Sequence, residues 1–384
     1  MQMHHRRMTA APSLFSVGGR FISFTTVRGI AKRQVAMSSS EPMSLDRFKG
    51  CLVGGVMGDC LGSPFEGDAR VTKSVLVQYF KNMNDAHTNK NLPYKRYTDD
   101  TAMTFALCRS LLEKNALDLP NLAKHFAQEF IKDHRRGYGQ AAGYLLSHLN
   151  KYELWKSSLD EDVVGPAKAQ FDGQGSYGNG ASMRVAPTAL FHATDDTETL
   201  VKSAYRQSLI THSNGLGILG AIVQAAAVRL ALQAEDQIDT QNFVTELKKI
   251  VTGVEGIQYD YKIIFVNKLN CISTYLTKTS IDEEAFLEDL GNDITAHGSV
   301  PTAIYAFLKA LQPLSEFETS SGVIRSIFAA IRIGGDTDTI ASMAGSIAGA
   351  YYGQKDITAE LSRHCEGITT AEEFAIKMHA RISP

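Results

Sequence analysis

Apolar residues recur at spacings of three and four along most of the chain beyond Leu45, in segments such as LDRFKGCLVGGVMGD, LPNLAKHFAQEFIKDH, LGILGAIVQAAAVRLALQ, SVPTAIYAFLKALQPL and GVIRSIFAAIRIGG. That period keeps one face of a helix apolar, so the pattern predicts an almost wholly helical body. Period-two alternation competes only in KSVLVQYF at 73–80, and YDYKIIFVNKL is short and ambiguous. Ser44, the pair Asp99 and Asp100, and Ser299 with Pro301 read as the leading residues of three helices. Two glycine-rich passages, RRGYGQAAG at 135–143 and FDGQGSYGNGASMR at 171–184, read as loops. No fixed-period repeat or long linker divides the body, so a single all-α domain over residues 44–384 is expected, preceded by a distinct segment, 1–43.

A chain of 384 residues with 44% apolar content is long enough for one large core. The longest apolar stretch, Leu216 to Val228, contains Gln224 and stops at Arg229. It falls short of the roughly 18 to 20 residues a bilayer span needs, so no transmembrane helix and no membrane partner are expected. Cys51, Cys60, Cys108, Cys271 and Cys365 are odd in number and far apart, with no CxxC pair. They suit neither a disulfide framework nor a zinc site and read as reduced core residues.

The first 40 residues differ in composition. They carry Arg6, Arg7, Arg20, Arg28, Lys32 and Arg33, several Ser and Thr, and no Asp or Glu. That is the profile of a mitochondrial targeting segment, with a disordered basic tail as the plainer reading and Met37 as a second start. Without those six cations the body sets 33 basic against 41 acidic residues. An acidic body argues against a broad DNA-binding face, because phosphate-backbone affinity needs clustered Lys and Arg. Nothing in the pattern demands a second copy, so a monomer is expected.

Two acidic clusters stand out within this frame. YTDDTAMTF places Asp99 and Asp100 between Thr98 and Thr101 ahead of an apolar run, and RIGGDTDTIASMAG places Asp336 and Asp338 beside Thr339 ahead of a small-residue helix. A single Asp at each start is a sufficient cap and complements the helix dipole. Two per start are more than capping needs. If both starts converge, four carboxylates share one cleft and require protons or cations. Carboxylates and hydroxyls without imidazole or thiolate are hard ligands, suited to Mg²⁺, Mn²⁺ or Ca²⁺ rather than zinc. Glu66, after the turn in GDCLGSPFEGD, is a third acidic position able to enter such a cleft or to remain a surface residue. GQGSYGNG has the glycine density that lets backbone amides approach a phosphate, without a Walker lysine or a Rossmann strand.

The ordered set GDCLGSPFE, YTDDTAM, GSYGNGASMR, ITHSNGLG and GGDTDTIASMAGSIAGAYYG resembles the ADP-ribosylhydrolase family over roughly residues 44–384. Within it the chain is similar to the branch that releases ADP-ribose from serine and shortens poly(ADP-ribose). The resemblance implies a compact orthogonal helical bundle with a binuclear Mg²⁺ cleft, Mn²⁺ being an alternative, and hydrolysis at C1″ of ADP-ribose, including O-acetyl-ADP-ribose. It implies metal ligation by Thr98, Asp99, Asp100, Asp336, Asp338 and Thr339, with Glu66 catalytic. Gly175, Ser176, Tyr177, Gly178 and Asn179 are implied to hold the diphosphate and distal ribose, and Phe171 with Tyr177 to sandwich the adenine. Gly137 and Gly139 match a second phosphate-side loop, and His212 a histidine near the terminal ribose. Family resemblance adds nucleus and cytoplasm to the mitochondrial expectation. The implied partners are ADP-ribose, ADP-ribosylated proteins and poly(ADP-ribose). Three other readings stay open: cleavage from arginine, a catalytically silent ADP-ribose binder or structural protein, and a magnesium-dependent phosphatase or nucleotide hydrolase.

Overall fold

Ser44 opens the first helix as expected: its hydroxyl accepts from the Arg47 N–H, and the chain runs helical over Leu45–Gly62 (α1). The computed structural model describes residues 41–85 and 94–382. The basic N-terminal segment with its targeting expectation lies outside the described residues. Along the first half follow α2 (Lys73–Asn84), α3 (Asp99–Lys114), α4 (Leu119–Lys132), α5 (Gln140–Tyr152), α6 (Asp160–Ala169), α7 (Gly180–Met183), α8 (Ala186–Phe191) and α9 (Thr197–Ser208). The second half comprises α10 (Gly215–Gln233), α11 (Thr240–Gly253), α12 (Tyr259–Thr277), α13 (Glu283–Asp289), α14 (Ala296–Lys309), α15 (Gly322–Ile333), α16 (Thr337–Tyr352), α17 (Ala359–Ser362) and α18 (Ile368–His379). Among the described residues there is no β-strand, only isolated bridges such as Gly178 with Thr295, so the fold is all-α.

Both ambiguous passages are helical, and burial shows why. In α2, Leu76, Phe80 and Met83 are buried; in α12, Phe265, Leu269 and Ile272 are. Each set follows i, i+4, i+7, the period of one helix face. The expected start at Ser299 and Pro301 is corrected: α14 begins a turn earlier, where Thr295 Oγ1 accepts from the Gly298 N–H at 3.1 Å. Ser299 and Pro301 therefore lie inside the helix, and the core around α14 tolerates the amide that Pro301 lacks. The expectation that no segment is long enough to span a membrane is also corrected. α10 continues through Arg229 to Gln233, so its 19 residues are long and apolar enough, with mean hydropathy 1.8 over the most apolar 18; 94% of that window is buried inside the protein, which is the environment of a core helix.

The centre of the fold is the pairing of α1 with α16. Gly50, Gly54, Gly58 and Gly62 recur every four residues on α1 and face Gly349, Gly345, Ala341 and Thr337 on α16. The opposite order of the two rows makes the helices antiparallel. Backbone meets backbone along this line: a Cβ on Gly62 would sit 2.5 Å from the Thr337 carbonyl oxygen, and one on Gly58 would strike the Ala341 carbonyl. Close approach of this kind is why small residues line both helices. α10, α14 and α15 pack on α16, and α18 packs on α1. We expect Gly58→Ala to destabilise the fold by about 3 kcal/mol, at the upper end of ordinary overpacking, because the obstruction is main chain. Chemical denaturation checks this, and a loss under about 0.5 kcal/mol would mean that the two helices separate freely.

Candidate active site

Antiparallel packing sets the C-terminal end of α1 against the N-terminal end of α16. The chain leaves α1 through the turn Ser63–Phe65 and presents Glu66. Two main-chain bonds then clip this loop onto the start of α16: Gly67 N–H donates to Gly335 O at 3.0 Å, and Gly335 N–H donates to Asp68 O at 2.7 Å. Gly334 and Gly335 both have positive φ, and a side chain on either would meet neighbouring backbone, at Ala69 and at Asn292 respectively. One carboxylate oxygen each from Glu66, Asp336 and Asp338 consequently lies within 4.8 Å of the other two.

The capping explanation for the acidic pairs fails on geometry. At α3 the cap is Thr98, whose hydroxyl accepts from the Asp100 N–H, while Asp99 and Asp100 are the first helical residues. At α16 Asp336 occupies the cap position but makes no capping bond; its Oδ2 accepts from Asn179 Nδ2 at 2.6 Å. Asp100 Oδ2 accepts from Thr98 Oγ1 at 3.2 Å and Thr339 Oγ1 at 3.3 Å, which joins the two clusters through one carboxylate. Its other oxygen, Oδ1, is buried with no hydrogen-bond partner. Asp338 Oδ1 accepts from the Thr339 N–H at 2.8 Å.

Sequence reasoning missed Asp59. This side chain is 0% exposed on α1 and accepts from Thr98 N–H at 2.9 Å, Thr101 N–H at 3.1 Å and Thr101 Oγ1 at 2.6 Å. It holds the first turn of α3 from outside and thereby fixes Asp99 and Asp100. The available signal was its place one residue after Gly58 on the glycine row. A second missed support is the Arg136–Glu366 pair: two 3.0 Å bonds, with the guanidinium also donating to Tyr97 O and lying 3.7 Å from the Tyr97 ring centroid. It anchors the 135–139 loop to the entrance of α3, where Asp99 N–H donates to Arg136 O at 2.7 Å.

Glu66, Asp336 and Asp338 thus converge, Asp99 and Asp100 lie near enough to feel their charge, Asp59 backs the start of α3, and among the described residues none of these has an ion-pair partner. Burial, then Asp59, pushes the Asp99 carboxyl up to about 8. Asp100 is raised well above the carboxylate range by burial and then Asp338, Asp338 by burial and then Asp336, and Asp59 by burial to about 6. Glu66 is raised by burial and by Asp336. Arg184, a buried cation that feels Asp99, is lowered to about 9 by burial and is bonded to Gln207 and to Met103 Sδ. An orphaned carboxylate oxygen inside an all-oxygen donor set with uncompensated charge fits a hard divalent cation. Raised carboxyls bind protons more tightly in the folded chain than in the unfolded one. Their stabilisation is complete below about pH 4, the ordinary carboxylate value, and disappears as pH rises through about 6 and 8. Chelated protein should therefore melt at falling temperature from pH 5 to pH 8, with the gain in Tm on adding Mg²⁺ growing over the same window. A flat gain across that window would contradict this electrostatic account.

Two loops rim the acidic floor. Gly137, with φ +91°, carries the 135–139 loop past Asp99, where a Cβ would lie 3.4 Å from Asp99 Oδ1; Gly139 leads α5. Gly175, with φ +68°, fits against Ser213 and Asn214 with no room for a side chain. Ser176 Oγ accepts from the Gly178 N–H at 3.2 Å, and Asn179, buried, bonds both Ser299 Oγ and Asp336. This second loop is therefore wired to the acidic cluster. Phe171 and Tyr177 are 55% and 51% exposed, and their rings are not in contact with each other. His212 lies under the loop, its ring against Gly178 and Gly180 and its Nδ1 on Thr211 Oγ1 at 2.7 Å. Burial lowers its pKa to about 3, so it is neutral.

The ADP-ribosylglycohydrolase family profile matches residues 40–383. ADP-ribosylhydrolase ARH3 of Xenopus tropicalis is 38% identical over 344 residues, covering 87% of this chain and 95% of the relative. ADP-ribosylhydrolase ARH3 of Homo sapiens is 38% identical, covering 88% and 93%. Among solved structures, an "ADP-ribosylglycohydrolase-related protein complex" superposes with TM-score 0.62 at 20% identity, over 88% of this chain and 98% of that one, which extends the likeness to the fold. This chain belongs to the ADP-ribosylglycohydrolase family.

Proposed function

We propose that the protein is a hydrolase of the O-glycosidic bond at C1″ of ADP-ribose, which releases mono-ADP-ribose from serine and acts on poly(ADP-ribose) and O-acetyl-ADP-ribose with two Mg²⁺ ions. The observation that carries the reading is the bond from Asn179, in the glycine loop, to Asp336, in the acidic cluster. It joins a loop suited to a diphosphate with a floor suited to divalent cations. Family membership and the 38% identity to ADP-ribosylhydrolase ARH3 support the reaction class.

In this reading Thr98, Asp99, Asp100, Asp336, Asp338 and Thr339 hold the cations. The bound cations supply charge stabilisation at the ribose hydroxyls and acidification of water. Gly175, Gly178 and Asn179 donate their amides to Gln170 O, Ser176 Oγ and Ile294 O, so Ser176 and Tyr177, with the Gly137–Gly139 loop, are the assigned main-chain donors to the diphosphate, while Phe171 and Tyr177 offer ring faces to the adenine. Neutral His212 supports the glycine loop from beneath without adding a charge. The bond breaks through an oxocarbenium-like transition state, so the departing serine oxygen needs a proton and the ribose needs a water. Glu66 is the group for that transfer: it stands at the rim beside Asp336, and burial and Asp336 together favour its protonated form. Asp59 touches neither sugar nor cation directly here; it keeps α3 in register beneath them.

Serine-linked and arginine-linked substrates separate this proposal from its neighbour on the same fold. Free ADP-ribose is expected from a serine-ADP-ribosylated peptide at least about ten times faster than from an arginine-linked one, the scale at which a matched leaving group is distinguished. The reverse preference would transfer the assignment to arginine.

A further inference from the structure

The outer face of α5 carries rings that the fold does not use. Leu145, Leu146 and Leu149 bury the inner face. Tyr144, His148 and Tyr152 follow at i, i+4 and i+8 along the exposed flank beside that face; Tyr144 is 70% and Tyr152 55% exposed, and His148 is exposed. Single exposed aromatics are ordinary, but a straight row of three along about 12 Å of helix is a patterned surface. His148 and Tyr152 already form a ring pair with centroids 4.6 Å apart, and Lys151 Nζ lies 5.1 Å from the Tyr152 centroid.

Position gives the row its meaning. α5 starts at Gly139, in the loop that passes Asp99. Gln170 Nε2 donates to Ala141 O at 2.9 Å, tying the exposed Phe171 to the first turn of the same helix. The row therefore begins one turn along α5 from the residue that holds Gln170, the neighbour of the ring proposed to take the adenine. One residue beyond Tyr152 it reaches a cleft of about 930 Å³ whose lining includes Trp155, Leu117, Lys114 and Lys124. The lining is mixed in charge: Glu153 pairs with Lys156, Asp160 with Arg206 and Glu113 with His125, while Asp118 caps α4.

We propose that the Tyr144–His148–Tyr152 face is a stacking track for an adenine of an ADP-ribose polymer, in a unit outside the one held in the catalytic cleft. The inference rests on the ADP-ribose reading of the site and deepens it, giving the polymeric substrate a second contact outside the cleft. A poly(ADP-ribose) chain presents one adenine and one diphosphate per unit, the pairing of flat ring and anion that aromatic rows flanked by lysines recognise. Continuity with the catalytic loop is what selects this occupant over an unrelated partner.

The test is a kinetic comparison of the full chain with a Tyr144→Gln/Tyr152→Gln double variant, which keeps helix propensity and solubility. Two substrates are used, a serine-ADP-ribosylated peptide and poly(ADP-ribose) of about ten units, both with Mg²⁺. The expected result is a KM for polymer raised about tenfold in the variant, on the order of one lost base–aromatic stack, with kcat and both constants for the peptide within about twofold. An unchanged polymer KM, or an equal change for both substrates, overturns the track. Wild-type turnover of the peptide without turnover of polymer overturns it while leaving the catalytic reading intact; no turnover of either removes both. Inhibition by single-stranded oligoadenylate as strong as by polymer also overturns it, since the face would then stack bases without regard to the polymer.

Discussion

Glu66→Gln is expected to lower ADP-ribose release by at least about a hundredfold while ADP-ribose still binds with an affinity within a few-fold of the parent, as befits loss of an acid/base group. The amide keeps the size and much of the hydrogen bonding of the carboxyl but neither gives nor takes the proton. Glu66 is also separable from folding: the residue is exposed as a whole and only its carboxyl turns into the half-buried rim beside Asp336 and Asp338, while the loop is held by main-chain bonds to Gly335 that the substitution leaves alone. Stopped-time release assays with a calorimetric titration of ADP-ribose read both quantities. Near-normal turnover would remove Glu66 from the chemistry, and loss of binding in step with turnover would make it a cation ligand instead, consistent with its distance to Asp336 and Asp338.

Asp338→Asn should weaken Mg²⁺ by at least about a hundredfold, beyond what loss of a supporting group costs at metal sites, and ADP-ribose binding should weaken with it. Asp338 is 4% exposed, and one of its oxygens is taken by the Thr339 N–H. The amide would replace an anionic oxygen with a neutral group. The sign of the stability change separates site from scaffold. A capping role predicts a loss on the order of 1 kcal/mol. A crowded, uncompensated carboxylate predicts that the chelated variant melts at or above the temperature of the chelated parent, because burial and Asp336 both disfavour its charge. Unchanged Mg²⁺ affinity with a lowered Tm would restore the capping explanation.

Much of this site was legible before the fold. The Asp pairs raised the case in which two helix starts converge, and the Thr339–Asp100 bond joins the starts of α3 and α16, with Glu66 meeting Asp336 and Asp338. Thr98 and Thr339 were expected as neutral oxygens, and both hydroxyls bond the carboxylate that joins the clusters. What escaped were relations set by tertiary packing. Asp59 looks like any polar residue near a helix end until its bonds to Thr98 and Thr101 are seen. The Arg136–Glu366 pair spans 230 positions, a separation no local pattern encodes. The start of α14 was misplaced because Pro301 is a helix-start signal in sequence but is carried inside this helix by the Thr295 cap. The four-residue glycine rhythm of α1 was visible and unused, although it is the feature that brings Asp59 and Glu66 to Asp336 and Asp338.

Under the proposed function, this acidic floor uses divalent cations to cleave ADP-ribose from serine. Its most direct test is release of free ADP-ribose from a serine-ADP-ribosylated peptide by residues 37–384, first with Mg²⁺ and then with EDTA. The account predicts release with Mg²⁺ that vanishes on chelation and returns on adding Mg²⁺ back. Release undiminished by EDTA, or none in either condition while ADP-ribose still binds, would contradict it.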